Sequence, residues 1–208
     1  MAFKVAFAAA ALASAAFASN TTGPYTIHIT GKTDTSIDGY VGACHAGAAI
    51  EALCYASGPV DSSSNSNQFY FDFGGFNPDT GETIQPGWIS WLLPYTDPDG
   101  NAATQVSPMQ LSPSWSSNVA AGLFEPSETY TYVSYDDSRK LYMSGGYDDS
   151  AFNATRPQPV VLGPLYNWHL CYQYTGGYYY QSVAWVSTDP PHNPSCEPID
   201  LTLEDITY

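Results

Sequence analysis

Positive charge is almost missing from this chain. Its 208 residues carry Lys+Arg 5 against Asp+Glu 20. An anionic field of that strength repels phosphate backbones and anionic lipid, so neither nucleic acid nor a membrane surface is expected as a partner. Long apolar runs are equally scarce. One stretch, Val5 to Phe17, is apolar throughout, and it is too short to span a bilayer comfortably. No G-x-S-x-G elbow, no H-E-x-x-H pair and no C-x2-C with paired histidines occurs, so the sequence calls for no serine-hydrolase elbow, metal or cofactor. The four histidines, His28, His45, His169 and His192, sit singly and read as structural. Sixteen prolines argue against long helices.

The apolar run at the start follows a single base, Lys4, and ends in Ala16-Phe17-Ala18. This is the layout of a secretory leader with an A-x-A cleavage site. The expectation is a leader over 1–18 and one exported domain over 19–208, soluble and extracellular. With Lys4 removed, Lys32, Arg139, Lys140 and Arg156 stand alone against 20 acids, a net charge of −16. Disorder is excluded by the aromatic content of 15%, far above that of a disordered acidic chain. Asn20-Thr21-Thr22 and Asn153-Ala154-Thr155 are glycosylation sequons, whereas Asn193-Pro194-Ser195 is blocked by its proline.

Four cysteines remain: Cys44, Cys54, Cys171 and Cys196. An even count in an exported chain predicts two disulfides. The local pairings Cys44–Cys54 and Cys171–Cys196 close modest loops and are the expected ones. As one continuous helix, residues 44–54 would hold the two cysteines about 15 Å apart, beyond the roughly 7 Å a disulfide allows. The stretch "ACHAGAAIEALC" must therefore double back, with Gly47 as the natural bend. His45 adjoins Cys44 but would point to the opposite face of an extended chain, so a staple is preferred over a thiolate nucleophile or a metal clip.

Short aromatic and β-branched runs recur between clusters of Gly, Pro, Asn, Asp and Ser. In "YTIHIT" (25–30), Ile27 and Ile29 alternate with polar residues. Hairpins are expected around Asp136–Ser138 and Thr175–Gly177, where glycine supplies positive φ. The stretch 55–68 reads as a mobile polar loop, and 77–87 as another loop. "SYDDS" (134–138) and "GYDDS" (146–150) read as two similar turns. Together these predict an all-β, single-domain β-sandwich or jelly roll with two disulfides.

Candidate chemistry is sparse. Asp79-Thr80-Gly81 matches an aspartic-protease triplet, but a second copy is absent. "DPDGN" (97–101) has alternating oxygen ligands without the remainder of a calcium loop; both read as turns. Of the glutamates, Glu51 alone lies in a clearly apolar segment, where burial would raise its pKa. Trp88, Trp91, Trp115, Tyr178 and Tyr180 are the candidate sugar-binding rings.

"GACHAGAAIEALC" together with "NWHLCYQY", "YYYQSVAWVS" and "PPHNPSCEPIDL" resembles a group of small secreted proteins of filamentous ascomycete fungi. The resemblance rests on Cys44, His45, Gly47, Ala48, Cys54, Trp168, Cys171, Trp185, Asn193, Pro194 and Cys196. It implies export and a β-rich domain, and carries over no catalytic residues. The resulting expectation is a non-catalytic extracellular protein that binds or coats, with a glycan or a host or cell-wall component as partner. The rival is a glycan-active hydrolase on a jelly-roll scaffold with Glu51 or another buried carboxylate as acid.

Overall fold

The computed structural model describes residues 20–77, 83–150, 152–155 and 160–206. The stretch 1–18 expected to be a leader, Asp79–Gly81, Glu82 and Arg156 lie outside the described residues. Among the described residues fourteen strands follow in order: β1 (Thr21–Gly31), β2 (Asp38–Gly47), β3 (Ile50–Ser57), β4 (Phe69–Phe76), β5 (Thr83–Thr96), β6 (Ala102–Pro113) and β7 (Val119–Phe124). Then come β8 (Ser134–Tyr135), β9 (Leu141–Tyr142), β10 (Tyr147–Asp148), β11 (Val160–Val161), β12 (Trp168–Thr175), β13 (Tyr178–Val186) and β14 (Glu197–Asp205). Among the described residues the only helical element is a 3-10 turn at Asn65–Asn67.

Ten strands form one sheet in the order β12-β14-β1-β2-β3-β13-β7-β6-β5-β4. Its two end strands are not free: β12 also pairs with β13, and β4 also pairs with β1. The sheet therefore closes into a barrel, which corrects the expectation of a sandwich or jelly roll. Period-2 alternation is common to both architectures. What separates them is strand partnership across long sequence distances. Strand β1 makes the closure possible by dividing one edge between two partners. Thr21 to Tyr25 lie along β4, His28 to Thr30 along β2, and the other edge carries β14 from Tyr25 to Gly31.

The barrel interior is filled by the inward residues of each strand. Ile27, Ile29, Phe69, Phe71, Ile89, Met109, Phe124, Leu170, Val183 and Ile199 are fully buried. Trp168 sits among them. Its Nε1 donates to the Leu141 carbonyl at 2.9 Å, and its ring meets Trp185 edge-on at 4.9 Å. The indole donor is thus satisfied, as a buried polar group must be.

Both disulfides form as expected. Cys44–Cys54 ties β2 to β3 with a Cα separation of 5.9 Å, and Cys171–Cys196 ties β12 to the residue preceding β14 with 4.1 Å. The chain doubles back between Cys44 and Cys54, with Gly47 paired to Ile50 and Ala49 at φ 59°. The bend thus falls just beyond Gly47. The expected turn at 175–177 is a two-residue loop, Gly176 and Gly177, between Thr175 and its partner Tyr178. The hairpin around Asp136 is present but short, since only Ser134–Tyr135 and Leu141–Tyr142 pair as strands. The two "YDDS" turns are alike: Asp136 Oδ1 accepts from the Ser138 N–H, and Asp148 Oδ1 from the Ser150 N–H. In "DPDGN", the Asp97 carboxylate accepts from the Asp99 and Asn101 N–H groups, a self-contained turn. The loop expected to be mobile is tied to the barrel: Asn65 Nδ2 donates to the Leu92 carbonyl, and Trp91 Nε1 to the Asn65 carbonyl.

Candidate functional site

Strands β4, β5 and β6 present one face to the core and one outward. Ile89 and Trp91 of β5 point inward with Phe69 and Phe71 of β4. Successive residues alternate, so Trp88, Ser90 and Leu92 lie on the outer face. Register places Asp72 opposite Trp88, Tyr70 opposite Ser90 and Val106 opposite Leu92. These residues, with Thr21 of β1, line an open groove of about 440 Å³.

One wall of the groove is aromatic and held rigidly. Val133 and Gly87 exchange two backbone hydrogen bonds of 2.8 Å, and the Thr131 N–H donates to the Met109 carbonyl at 2.9 Å. This lays residues 131–133 beside β5 and β6 and brings Tyr130 flat against Trp88, with ring centroids 4.0 Å apart. Tyr132 meets both rings edge-on. A hydrogen bond between the two tyrosine hydroxyls at 3.3 Å holds the Tyr130 phenol above its usual pKa. The floor is polar. Asp72 Oδ1 accepts from the Thr21 hydroxyl and Oδ2 from the Ser90 hydroxyl, and Asp72 and Ser90 are buried.

The five candidate rings do not form one platform. Trp88 lines the groove. Trp91 is 5% exposed, packs near Phe124 and donates to Asn65; facing the core, it offers no surface to a ligand. Trp115 is fully exposed in the turn between β6 and β7. Tyr178 and Tyr180 stack in parallel on β13, with centroids 6.0 Å apart. Tyr178 meets His45 edge-on, and the Tyr180 hydroxyl donates to the His45 carbonyl. Tyr70, Tyr130, Tyr132 and Asp72 were not singled out from sequence. Of the sequons, Asn153 is exposed, and its Oδ1 accepts from the Thr155 N–H and hydroxyl. Asn20 is half-buried, its carbonyl accepting from the Phe73 N–H.

Two further clusters carry titratable groups. Glu51 lies directly across from His45 in the β2–β3 register, with its Oε1 3.6 Å from Nδ1. Burial pushes the Glu51 carboxyl above its ordinary pKa, partly opposed by His45. The second cluster was invisible in the sequence. His28 Nε2 lies 2.6 Å from Asp38 Oδ1, and its Nδ1 lies 3.0 Å from Glu204 Oε1. Tyr40 stacks on the ring at 4.8 Å and donates to Glu204, and burial followed by the Glu204 charge raises its phenol pKa. The imidazole stands between the two carboxylates, one at each ring nitrogen. The carboxylates also address opposite edges of the ring, so one ion cannot be held by all three groups. Among the described residues no set of three or more His, Cys, Asp or Glu side chains is arranged to hold a metal.

No helix among the described residues is long and apolar enough to cross a membrane. No curated protein and no solved structure matches the chain. A family model described as "Domain of unknown function" (DUF7907) matches residues 22–205, the span from β1 through β14, and the chain belongs to that family.

Proposed function

We propose that this protein is exported and acts outside the cell as a non-catalytic, glycan-binding β-barrel, with the groove beside Trp88 as its contact surface. Two disulfides favour an oxidising compartment, in keeping with the leader expected over 1–18. The observation that carries the binding reading is the pairing of a rigid ring with a polar floor. Trp88 is braced by Tyr130 at 4.0 Å, beside Asp72, Thr21 and Ser90. A sugar ring has an apolar face and a hydroxylated rim, and this groove offers a surface for each. Bracing removes rotamer freedom in advance, so less ordering entropy is lost on binding.

The test is a glycan array followed by calorimetric titration of the best ligand against wild type and Trp88→Ala. Loss of at least about tenfold in affinity is expected, as for removal of a central aromatic contact. A blank array, or equal binding by the variant, would overturn the reading. The hydrolase alternative draws on the raised carboxyl of Glu51. The group facing it is an imidazole, whereas the two-carboxylate mechanism requires a second acid across the scissile bond. Glycan turnover abolished by Glu51→Gln would replace the binding reading with the enzymatic one.

A further inference from the structure

We propose that the Trp88 groove selects amino sugars bearing a free ammonium group over neutral or acidic sugars. This rests on the glycan-binding reading and concerns the same site. The argument starts from the hydrogen-bond inventory of the floor. Asp72, as a carboxylate, is an acceptor only. The Thr21 and Ser90 hydroxyls each have one proton, and both point at Asp72. Neither hydroxyl has a proton left for a ligand. What the three groups can offer is lone pairs: one or more on each Asp72 oxygen, and those of the two hydroxyl oxygens. These three side chains thus present acceptors, while Tyr70 and the Trp88 indole, which also line the groove, carry its donors.

An ammonium group is the complement, with three donors and no acceptor. A neutral hydroxyl satisfies the same floor less fully, and an acetamido group has a single N–H. A uronic acid brings acceptors to acceptors and a negative charge to a negative one.

The surroundings reinforce the same choice. No base is present among the residues lining the groove. Three of the four bases left after leader removal are engaged elsewhere. Lys32 and Lys140 both pair with Asp200, at 3.5 and 2.7 Å, and Arg139 pairs with Asp205 at 3.5 Å. The net charge of −16 that remains without Lys4 of the expected leader steers cations toward the molecule at low salt. The apolar wall of Trp88, Leu92 and Val106 distinguishes a ring from a bare cation, which has no face to stack.

The experiment uses the exported protein and four probes: a glucosamine oligomer, the matching N-acetylglucosamine oligomer, a glucuronic acid oligomer and spermidine. Titrations run at about pH 5.5, where ordinary carboxylates are ionised and the amino sugar is protonated. The glucosamine oligomer is expected to bind at least about tenfold more tightly than its acetylated counterpart, as for one charge-assisted hydrogen bond. That advantage should shrink between about 50 mM and about 500 mM salt, while binding of the acetylated oligomer stays flat. Asp72→Asn should abolish the advantage, so that the glucosamine and N-acetylglucosamine oligomers bind alike; should that variant fail to fold, the salt series on the unmutated protein decides. Equal, salt-insensitive binding of the two oligomers overturns the amino-sugar preference and leaves the groove reading standing. Spermidine binding as tightly as the glucosamine oligomer, or tighter binding of the glucuronic acid oligomer, also overturns the preference. If no oligomer binds, the groove reading itself fails.

Discussion

Gly176 and Gly177 form the turn between β12 and β13, with φ 60° and 91°. They are equivalent by propensity and opposite by environment. A Cβ built at Gly176 would lie 1.5 Å from the Ala46 carbonyl oxygen and 2.7 Å from its carbon, whereas one at Gly177 meets nothing within 4 Å. Substitution by alanine imposes the left-handed penalty at both positions, about 1–2 kcal/mol. At Gly176 the turn must also withdraw from Ala46, which is buried on β2. Overpacking against backbone costs about 1–3 kcal/mol more, so Gly176→Ala is expected to lose about 2–5 kcal/mol and Gly177→Ala about 1–2. At about 2–4 °C per kcal/mol for a domain of this size, the two melting temperatures should differ by several degrees, Gly176→Ala being lower. Urea titration checks the order independently, through the midpoint at constant m. The withdrawal should also loosen the hydrogen bond from the Tyr180 hydroxyl to the His45 carbonyl, 2.9 Å long, because it spans the same contact between hairpins. Equal melting temperatures, or a lower one for Gly177→Ala, would show that the two hairpins do not bear on each other at Ala46.

Three further outcomes follow from the packing and the charges. Trp168→Phe keeps the apolar bulk but leaves the buried Leu141 carbonyl without its donor; a loss of about 2–4 kcal/mol in urea unfolding is expected. Glu51→Gln should raise the melting temperature at neutral pH. A carboxyl whose folded pKa exceeds its unfolded value holds its proton more tightly in the fold, so the wild type loses stability as pH rises through that interval, and the gap between variant and wild type should close toward pH of about 3.5, below the unfolded value. Replacing each cysteine pair by alanine should cost about 2.7 kcal/mol for Cys44–Cys54 and about 3.5 for Cys171–Cys196, because the sequence separations are 10 and 25 and the longer loop loses more chain entropy on crosslinking; thermal unfolding of the two double variants tests the order.

The parts of this molecule legible in its sequence are the local ones. The doubling back between Cys44 and Cys54, the Gly176–Gly177 turn and the twin "YDDS" turns each depend on residues within a dozen positions of one another. Barrel closure does not. It requires Ile29 to face Leu201 and Thr21 to face Asp72, pairings that alternation leaves undetermined, since every antiparallel arrangement satisfies the same period. The His28 cluster was hidden for the same reason: Asp38 and Glu204 reach the ring from the two strands flanking β1. One signal was present and went unused. Trp88 and Trp91 are three residues apart on one strand, an odd spacing that puts them on opposite faces. They could never have shared a platform, and the alternating apolar partners Ile89 and Trp91 already marked which of the two faces inward.

Strand β1 links these observations physically. Its first residues, along β4, supply the Thr21 hydroxyl that fixes Asp72 in the groove; its later residues, along β2, supply His28 to Asp38 and Glu204. Along one edge β1 pairs with β4 at Thr21 to Tyr25 and with β2 at His28 to Thr30. The groove and the His28 cluster lie on either side of that change of partner. The groove's polar floor depends on the closure, because the pairing of β1 with β4 sets Thr21 opposite Asp72. Asp72 alone on an open sheet edge would be solvated, whereas closure against β1 adds the Thr21 hydroxyl to that of Ser90 and commits both protons to the carboxylate.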